Sequence, residues 1–150
     1  MADTSLNENR LGILIWQTSN LWQSKIRQIL KNSDLTFNEY LILETLYKLI
    51  DEHENITQQD ICKNSSIDRS VVSQKINGLE EKKLLMRSQP KDKRSYGLSL
   101  TNNGILLVES LISSVEKQES FIFDKLGSEI FNFTNSLKLI LGKKIRIKAK

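Results

Sequence analysis

The chain has 150 residues, of which 39% are hydrophobic and 27% charged, with a net charge of +4 and one proline, one cysteine and one histidine. This is one domain's worth of polymer with enough apolar content to bury a core, which sets it apart from disordered chains. A single cysteine excludes an intrachain disulfide, and no apolar run approaches the roughly 20 residues needed to span a bilayer.

The N-terminus, MADTSLNENR, is polar and has no apolar signal core, so a cytoplasmic protein is expected. From about Asn9 to Leu30, Leu11, Leu14, Ile15, Thr18, Leu21, Trp22, Ile26 and Ile29 recur at spacings of three and four, the signature of an amphipathic helix. The run Lys31 to Asp34 ends it. Thr36 and Glu39 form a capping box for a second helix reaching about Ile50, with Leu35 and Tyr40 as its hydrophobic staple. A charged connector, Asp51 to Asn55, follows.

Thr57 and Asp60 repeat the capping-box pattern at the start of a short third helix, flanked by Ile56 and Ile61 as a staple. Asn64 to Ile67 is rich in turn formers and is expected to be a tight turn. Asp68 then caps a fourth helix running to about Lys83. On a 3.6-residue wheel Val72, Ile76 and Leu79 share one face, while Ser70, Ser73, Gln74, Asn77 and Glu81 share the opposite one. Leu84 to Ser88 and Tyr96 to Leu100 are short strand-compatible runs, joined by a polar loop that carries Lys91, Asp92, Lys93 and Arg94.

Two short helices, a turn and a hairpin with a basic tip make a winged helix-turn-helix, an element that reads duplex DNA. The hydroxyl and amide side chains of Ser70, Ser73, Gln74 and Asn77 suit base edges in a major groove. Arg69 and Lys75 flank them, placed for phosphates. Lys91, Lys93 and Arg94 suit a narrow minor groove, whose negative potential attracts guanidinium groups. A charged hairpin loop on its own is usually just solvated; its place directly after a helix-turn-helix favours the DNA reading.

Thr101 opens a long helix with Ile105, Val108, Leu111, Ile112 and Val115 on its apolar face, continuing to about Leu126. Gly127 is a helix stop and Ser128 a cap for a last helix carrying Ile130, Phe133, Leu137, Ile140 and Leu141. The chain ends in a basic tail, GKKIRIKAK.

The run DRSVVSQKINGLEEKKLLMRS, followed by PKDKRSYGLSLTNNG, resembles the MarR family of bacterial transcription regulators. The likeness covers most of the chain. Its most specific parts are Asp92-Lys93-Arg94 and the strand-to-helix junction Leu98 to Thr101 with Gly104. It implies that the helix from Asp68 enters the major groove, that Arg94 reaches the minor groove, and that Asp92 orients Arg94 or a neighbouring basic group. It also implies a symmetric dimer built from the terminal helices. Two departures stand out: Lys83 occupies a helix-ending position where the family has Gly, which favours a left-handed backbone, and Gln89 stands where the wing begins with an acid.

The expected fold is therefore mainly α with a small β-hairpin wing, a winged helix-turn-helix over residues 35–100. Residues 1–34 and 101–150 form a helical dimerisation region around it. The terminal helices carry more apolar surface than the winged element could cover, which by itself points to a partner chain and, with the resemblance, to a homodimer. Charge follows the same division. Eight basic residues and three acids lie between Arg69 and Arg94, a net of +5, and five basic residues lie between Lys143 and Lys150 with no acid, leaving −6 elsewhere. Concentrated positive charge of this kind is the footprint of a nucleic-acid binder. The tail is read either as a solvated end or as a source of non-specific phosphate contacts.

Chemistry finds little support. His53 lies in an exposed acidic connector and no set of metal ligands at zinc spacing accompanies it, so no metal or cofactor is expected. No Ser or Cys has a base at motif spacing, and an enzyme is not expected. Cys62 is read as a small buried apolar side chain; some MarR relatives sense oxidants through a cysteine near the start of the first helix, a position that Cys62 does not match. Trp16, Trp22, Phe37, Tyr40 and Tyr47, all on the first two helices, are core residues by default. The resemblance offers them a second role, lining a small-molecule pocket for an anionic aromatic ligand.

The reading is thus a homodimeric, sequence-specific regulator of transcription, a repressor on a pseudo-palindromic operator released by a small ligand. The alternatives are an architectural DNA-binding protein with little sequence preference, supported by the basic tail, and an interaction module that has lost DNA binding.

Overall fold

The computed structural model describes residues 10–88 and 97–147. Its elements run in chain order as α1 (Leu11–Leu30), a 3-10 turn (Lys31–Ser33), α2 (Phe37–Leu49), α3 (Gln58–Ser65), α4 (Arg69–Glu81), β1 (Leu85–Ser88), β2 (Gly97–Leu100), α5 (Asn102–Phe123), a second 3-10 segment (Asp124–Glu129) and α6 (Ile130–Ile140). Mainly helical, with one two-stranded antiparallel hairpin, it has the expected class and order.

Both capping boxes form. Glu39 N–H donates to Thr36 Oγ1 at 3.2 Å while Thr36 N–H donates to Glu39 Oε1 at 2.9 Å. Thr57 and Asp60 repeat this, with bonds of 3.2 and 2.9 Å. Each box satisfies two backbone donors that a helix start leaves orphaned. The staple residues Leu35, Tyr40, Ile56 and Ile61 are all buried. Other helix ends differ from expectation. Helix α3 continues through Asn64 to Ser65, and the turn is made at Ser66, which adopts φ 62°. Asp68 occupies the cap position of α4, but its side chain makes no capping hydrogen bond. Helix α5 stops at Phe123 rather than Leu126, and Gly127 (φ 56°) sits inside the following 3-10 segment. That displaces the start of α6, whose cap is Glu129 rather than Ser128.

The chain forms two compact units, one through Val115 and one from Glu116 onward. In the first, one core gathers Ile26 and Leu30 of α1, Tyr40, Ile42, Leu43 and Leu46 of α2, Ile61 of α3, the Val72–Ile76–Leu79 stripe of α4, Leu85, Leu98 and Leu100 of the hairpin, and Val108, Leu111 and Val115 of α5. Full burial of each such side chain contributes on the order of 1.5–3 kcal/mol. The hairpin pairs Leu85 with Leu100 and Ser88 with Gly97. Ile56 adds an isolated bridge to Leu98, its carbonyl accepting from Leu98 N–H at 2.7 Å; one bridging residue leaves no period-2 pattern by which it could be foreseen.

In the second unit, α6 buries none of its residues, and Leu139, Ile140 and Leu141 are largely exposed. The tail does not simply trail into solvent. The Asn135 side chain receives Arg146 N–H at 3.0 Å and donates to Arg146 carbonyl at 2.7 Å, pinning it to α6.

Candidate nucleic-acid interface

Helix α4 is held from three sides. Its inward stripe, Val72, Ile76 and Leu79, is fully buried. Its C-terminal end closes in a Schellman arrangement: Lys83 N–H donates to Glu80 carbonyl at 3.0 Å and Leu84 N–H to Leu79 carbonyl at 3.1 Å. This geometry requires a left-handed residue, and Lys83 supplies it at φ 60°, where a side chain costs on the order of 1–2 kcal/mol relative to glycine. The Lys83 carbonyl accepts the Thr101 hydroxyl at 2.7 Å, and Thr101 Oγ1 in turn receives Gly104 N–H at 3.0 Å. One threonine thus caps α5 and anchors the end of α4. Gly104 is needed there because a Cβ would collide with the Leu84 carbonyl.

The third support is Glu39, a buried carboxylate beneath α4. Lys82 at the end of α4 pairs with it at 3.1 Å and also donates to the Asp34 carbonyl at 2.5 Å, tying the α1–α2 connection to α4. Burial alone would raise the Glu39 pKa. Hydrogen bonds from Thr36 and the hydrogen bond and charge of Lys82 outweigh it, so the carboxyl is held below its ordinary value.

With α4 fixed in this way, its outer face presents Arg69, Ser70, Ser73, Gln74 and Asn77, all exposed. The wheel placed Ser70, Ser73, Gln74 and Asn77 on this face together with Glu81, which is exposed as well, and Arg69 beside them. Two refinements appear. Lys75 is half-buried and lines a cavity, with Gln23, Arg27, Leu35 and Phe37 among the other residues of its wall. Asn77 is engaged by Arg87 of β1, whose Nη2 donates to Asn77 Oδ1 at 2.6 Å. Sequence reasoning passed over Arg87, which reads as an ordinary strand residue; only the fold brings it to α4. The expected wing-tip residues Lys91, Asp92, Lys93 and Arg94, and Gln89 before them, lie outside the described residues.

Of the aromatic candidates for a ligand pocket, Phe37 lines the cavity beside Lys75, whereas Trp16, Tyr40 and Tyr47 do not. Trp16 is exposed on the N-terminal half of α1. Tyr40 is fully buried, its hydroxyl donating to Glu44 Oε1 at 2.8 Å. The Tyr47 hydroxyl donates to Glu109 at 3.2 Å, and desolvation, reinforced by the Glu109 charge, raises its pKa. The cavity, of about 650 Å³, lies between the end of α1, the start of α2 and α4. Arg27, Lys31, Lys75 and Lys82 line it together with Asp34 and Glu39. Arg27 stacks over the Phe37 ring at 5.7 Å, and Phe37 meets Trp22 edge-on at 5.2 Å. Cys62 is partly rather than fully buried, packed against the core, and His53 is exposed.

Comparison with known proteins agrees with this geometry. The sequence model of the MarR family matches residues 33–95. An uncharacterised HTH-type transcriptional regulator of Bacillus subtilis (strain 168), YdcH, is 33% identical over 132 residues, covering 87% of this chain and 88% of that protein. Among solved structures, the Staphylococcus aureus MepR–DNA complex superposes with a TM-score of 0.78 at 28% identity, covering 91% of this chain and 97% of that one. Bordetella bronchiseptica BpsR, whose DNA binding is regulated by 6-hydroxynicotinic acid, shares the fold with a TM-score of 0.81 at 21% identity, over 95% of this chain and 100% of that one. No helix among the described residues is long and apolar enough to cross a membrane.

Proposed function

This chain belongs to the MarR family of DNA-binding, winged helix-turn-helix transcriptional regulators, and we propose that it acts in the cytoplasm as a homodimeric repressor on a pseudo-palindromic operator. The observation that carries the reading is the outer face of α4. Four short polar or amide side chains, Ser70, Ser73, Gln74 and Asn77, stand exposed on a helix whose opposite stripe is fully buried. A surface helix presented this way enters a major groove and reads base edges. Arg69 at its start contacts phosphate, Lys75 does so by swinging out of its cavity, and the wing brings Lys91, Lys93 and Arg94 to the flanking backbone and minor groove, with Asp92 orienting Arg94.

A second copy supplies the recognition helix for the other half-site, roughly 34 Å away. Support for a dimer comes from apolar side chains that the chain leaves uncovered: Leu11, Ile15 and Trp16 on α1, and Leu139 and Ile140 on α6. Release by a small ligand would act most directly at the cavity beside Lys75. An anion drawn to Arg27 and Lys75 there would hold Lys75 away from phosphate.

The test is selection of bound fragments from genomic DNA at about 0.15 M salt, followed by transcription from the recovered promoter. A two-fold symmetric site whose occupancy lowers transcription is expected. Fragments with no shared sequence would instead favour the architectural reading, which the exposed Lys143, Lys144 and Arg146 support. Arg94→Ala is expected to weaken operator binding by about 1–3 kcal/mol, and unchanged affinity would remove the wing from this account.

A further inference from the structure

Arg87 stands on the first strand of the hairpin, yet both of its terminal nitrogens reach back to α4. Nη2 donates to Asn77 Oδ1 at 2.6 Å, and Nη1 pairs with Glu80 Oε1 at 3.3 Å. A guanidinium carries only donors, whereas an amide has a carbonyl at one corner and an NH2 at the other. Only one orientation of the Asn77 amide fits beside Arg87. The carbonyl must face the cation, since the flipped amide would set donor against donor. The short distance is that of a charge-assisted hydrogen bond. Glu80, three residues along the same helix, holds the guanidinium in place, so Arg87 grips α4 at two points.

This arrangement changes what Asn77 can read. An asparagine recognises adenine by donating to N7 and accepting from the N6 amino group, and so uses both corners of the amide. Here one of the two lone pairs of the carbonyl is already taken by Arg87, and the guanidinium N–H groups beside it, donors themselves, oppose the approach of an adenine amino group to the other. The remaining NH2 group can only donate. In the major groove the base that offers two acceptors and no donor is guanine, through N7 and O6. We propose that Arg87 is a specificity-setting positioning residue: by holding the Asn77 carbonyl it makes Asn77 a donor-only reader that selects guanine over adenine in each half-site. The inference rests on the reading of α4 as the major-groove helix. Arg87 itself touches no base in this account, and Glu80 neutralises its charge.

The experiment is selection from a randomised operator pool with the full-length protein, followed by affinity measurements on single-base variants. Asn77→Ala identifies the position that Asn77 reads, because discrimination disappears there and nowhere else. At that position the unaltered protein is expected to prefer guanine to adenine by about fivefold or more, the lower end for a good base contact. Arg87→Ala frees the carbonyl and shifts that single position toward adenine, while Arg87→Lys keeps a donor against Oδ1 and keeps guanine. Preference at every other position stays as it was, which a merely structural role for Arg87 would not produce. Adenine at the Asn77-dependent position in the unaltered protein overturns the proposal. So does a uniform loss of affinity in Arg87→Ala with the preference unchanged. Should Arg87→Ala fail to fold, Glu80→Gln loosens the guanidinium without removing it and is expected to move the same position part of the way; no movement counts against the proposal. Gln74→Ala separates the two levels of inference. If it alters a base preference and Asn77→Ala does not, only the role of Asn77 and Arg87 falls. If neither alters any preference, the major-groove reading of α4 falls as well.

Discussion

Helices α4 and α6 are both amphipathic in sequence, and they reach opposite ends. The apolar stripe of α4 is fully buried, its C-terminal end is closed by paired backbone hydrogen bonds, and its flank is fastened by Lys82 and Arg87. The apolar residues of α6 stay uncovered, and every buried hydrophobic side chain among the described residues lies at or before Val115. The difference is one of where the partners are. Helix α4 finds its packing surface within about 50 residues of its own chain, on α2, α3 and the hairpin. Helix α6 buries none of its residues, and leaving side chains such as Leu139 and Ile140 exposed is unfavourable in proportion to their apolar area. In the proposed function, α4 is the reading head and α6 part of the surface that a second copy would cover.

The comparison can be broken most sharply in the core beneath α4. Leu46→Ala removes a fully buried side chain and is expected to cost about 2–5 kcal/mol, seen as a lower urea midpoint with loss of DNA binding. If that substitution were tolerated with little change, α4 would not be the rigid element described. Next in size is Glu39→Gln, expected to cost about 1–3 kcal/mol as a buried charge-assisted bond to Lys82 is lost. Because the folded-state pKa of Glu39 is depressed, its contribution is complete above the ordinary carboxylate range and disappears as pH falls through the folded value. Acid titration of stability should therefore be shallower in the Gln variant, and identical profiles would discount the Glu39–Lys82 support.

A change of opposite sign is expected at Lys83, which sits at φ 60°. Lys83→Gly should raise stability by about 1 kcal/mol through relief of the left-handed strain, measurable as a higher thermal midpoint. The smallest effect on folding belongs to the other region. Leu139→Ala, at 68% exposure, should change the unfolding free energy of the single chain by no more than about 0.5 kcal/mol, yet weaken self-association in sedimentation equilibrium. A large folding loss with association unchanged would mean that α6 packs within its own chain and that the dimer surface lies elsewhere.

The order of elements, the two capping boxes and the two faces of α4 were legible in the residues, and the left-handed site at Lys83 only through the family resemblance. Each is set by side chains within a few residues of one another, through helical periodicity, local hydrogen bonding or backbone sterics. Locality also explains the misses at Asp68 and Ser128. Both residue types favour cap positions, but in one case the side chain turns elsewhere and in the other a 3-10 segment shifts the helix start by one residue. What only the tertiary structure decided depends on atoms far apart along the chain: Arg87 donating to Asn77 ten residues away, Lys82 reaching Glu39 and the Asp34 carbonyl across more than forty, Ile56 bridging to Leu98, and a cavity that Lys75 lines together with residues of α1 and α2. No periodicity encodes these contacts, because they exist only once packing has brought the helices and the hairpin together.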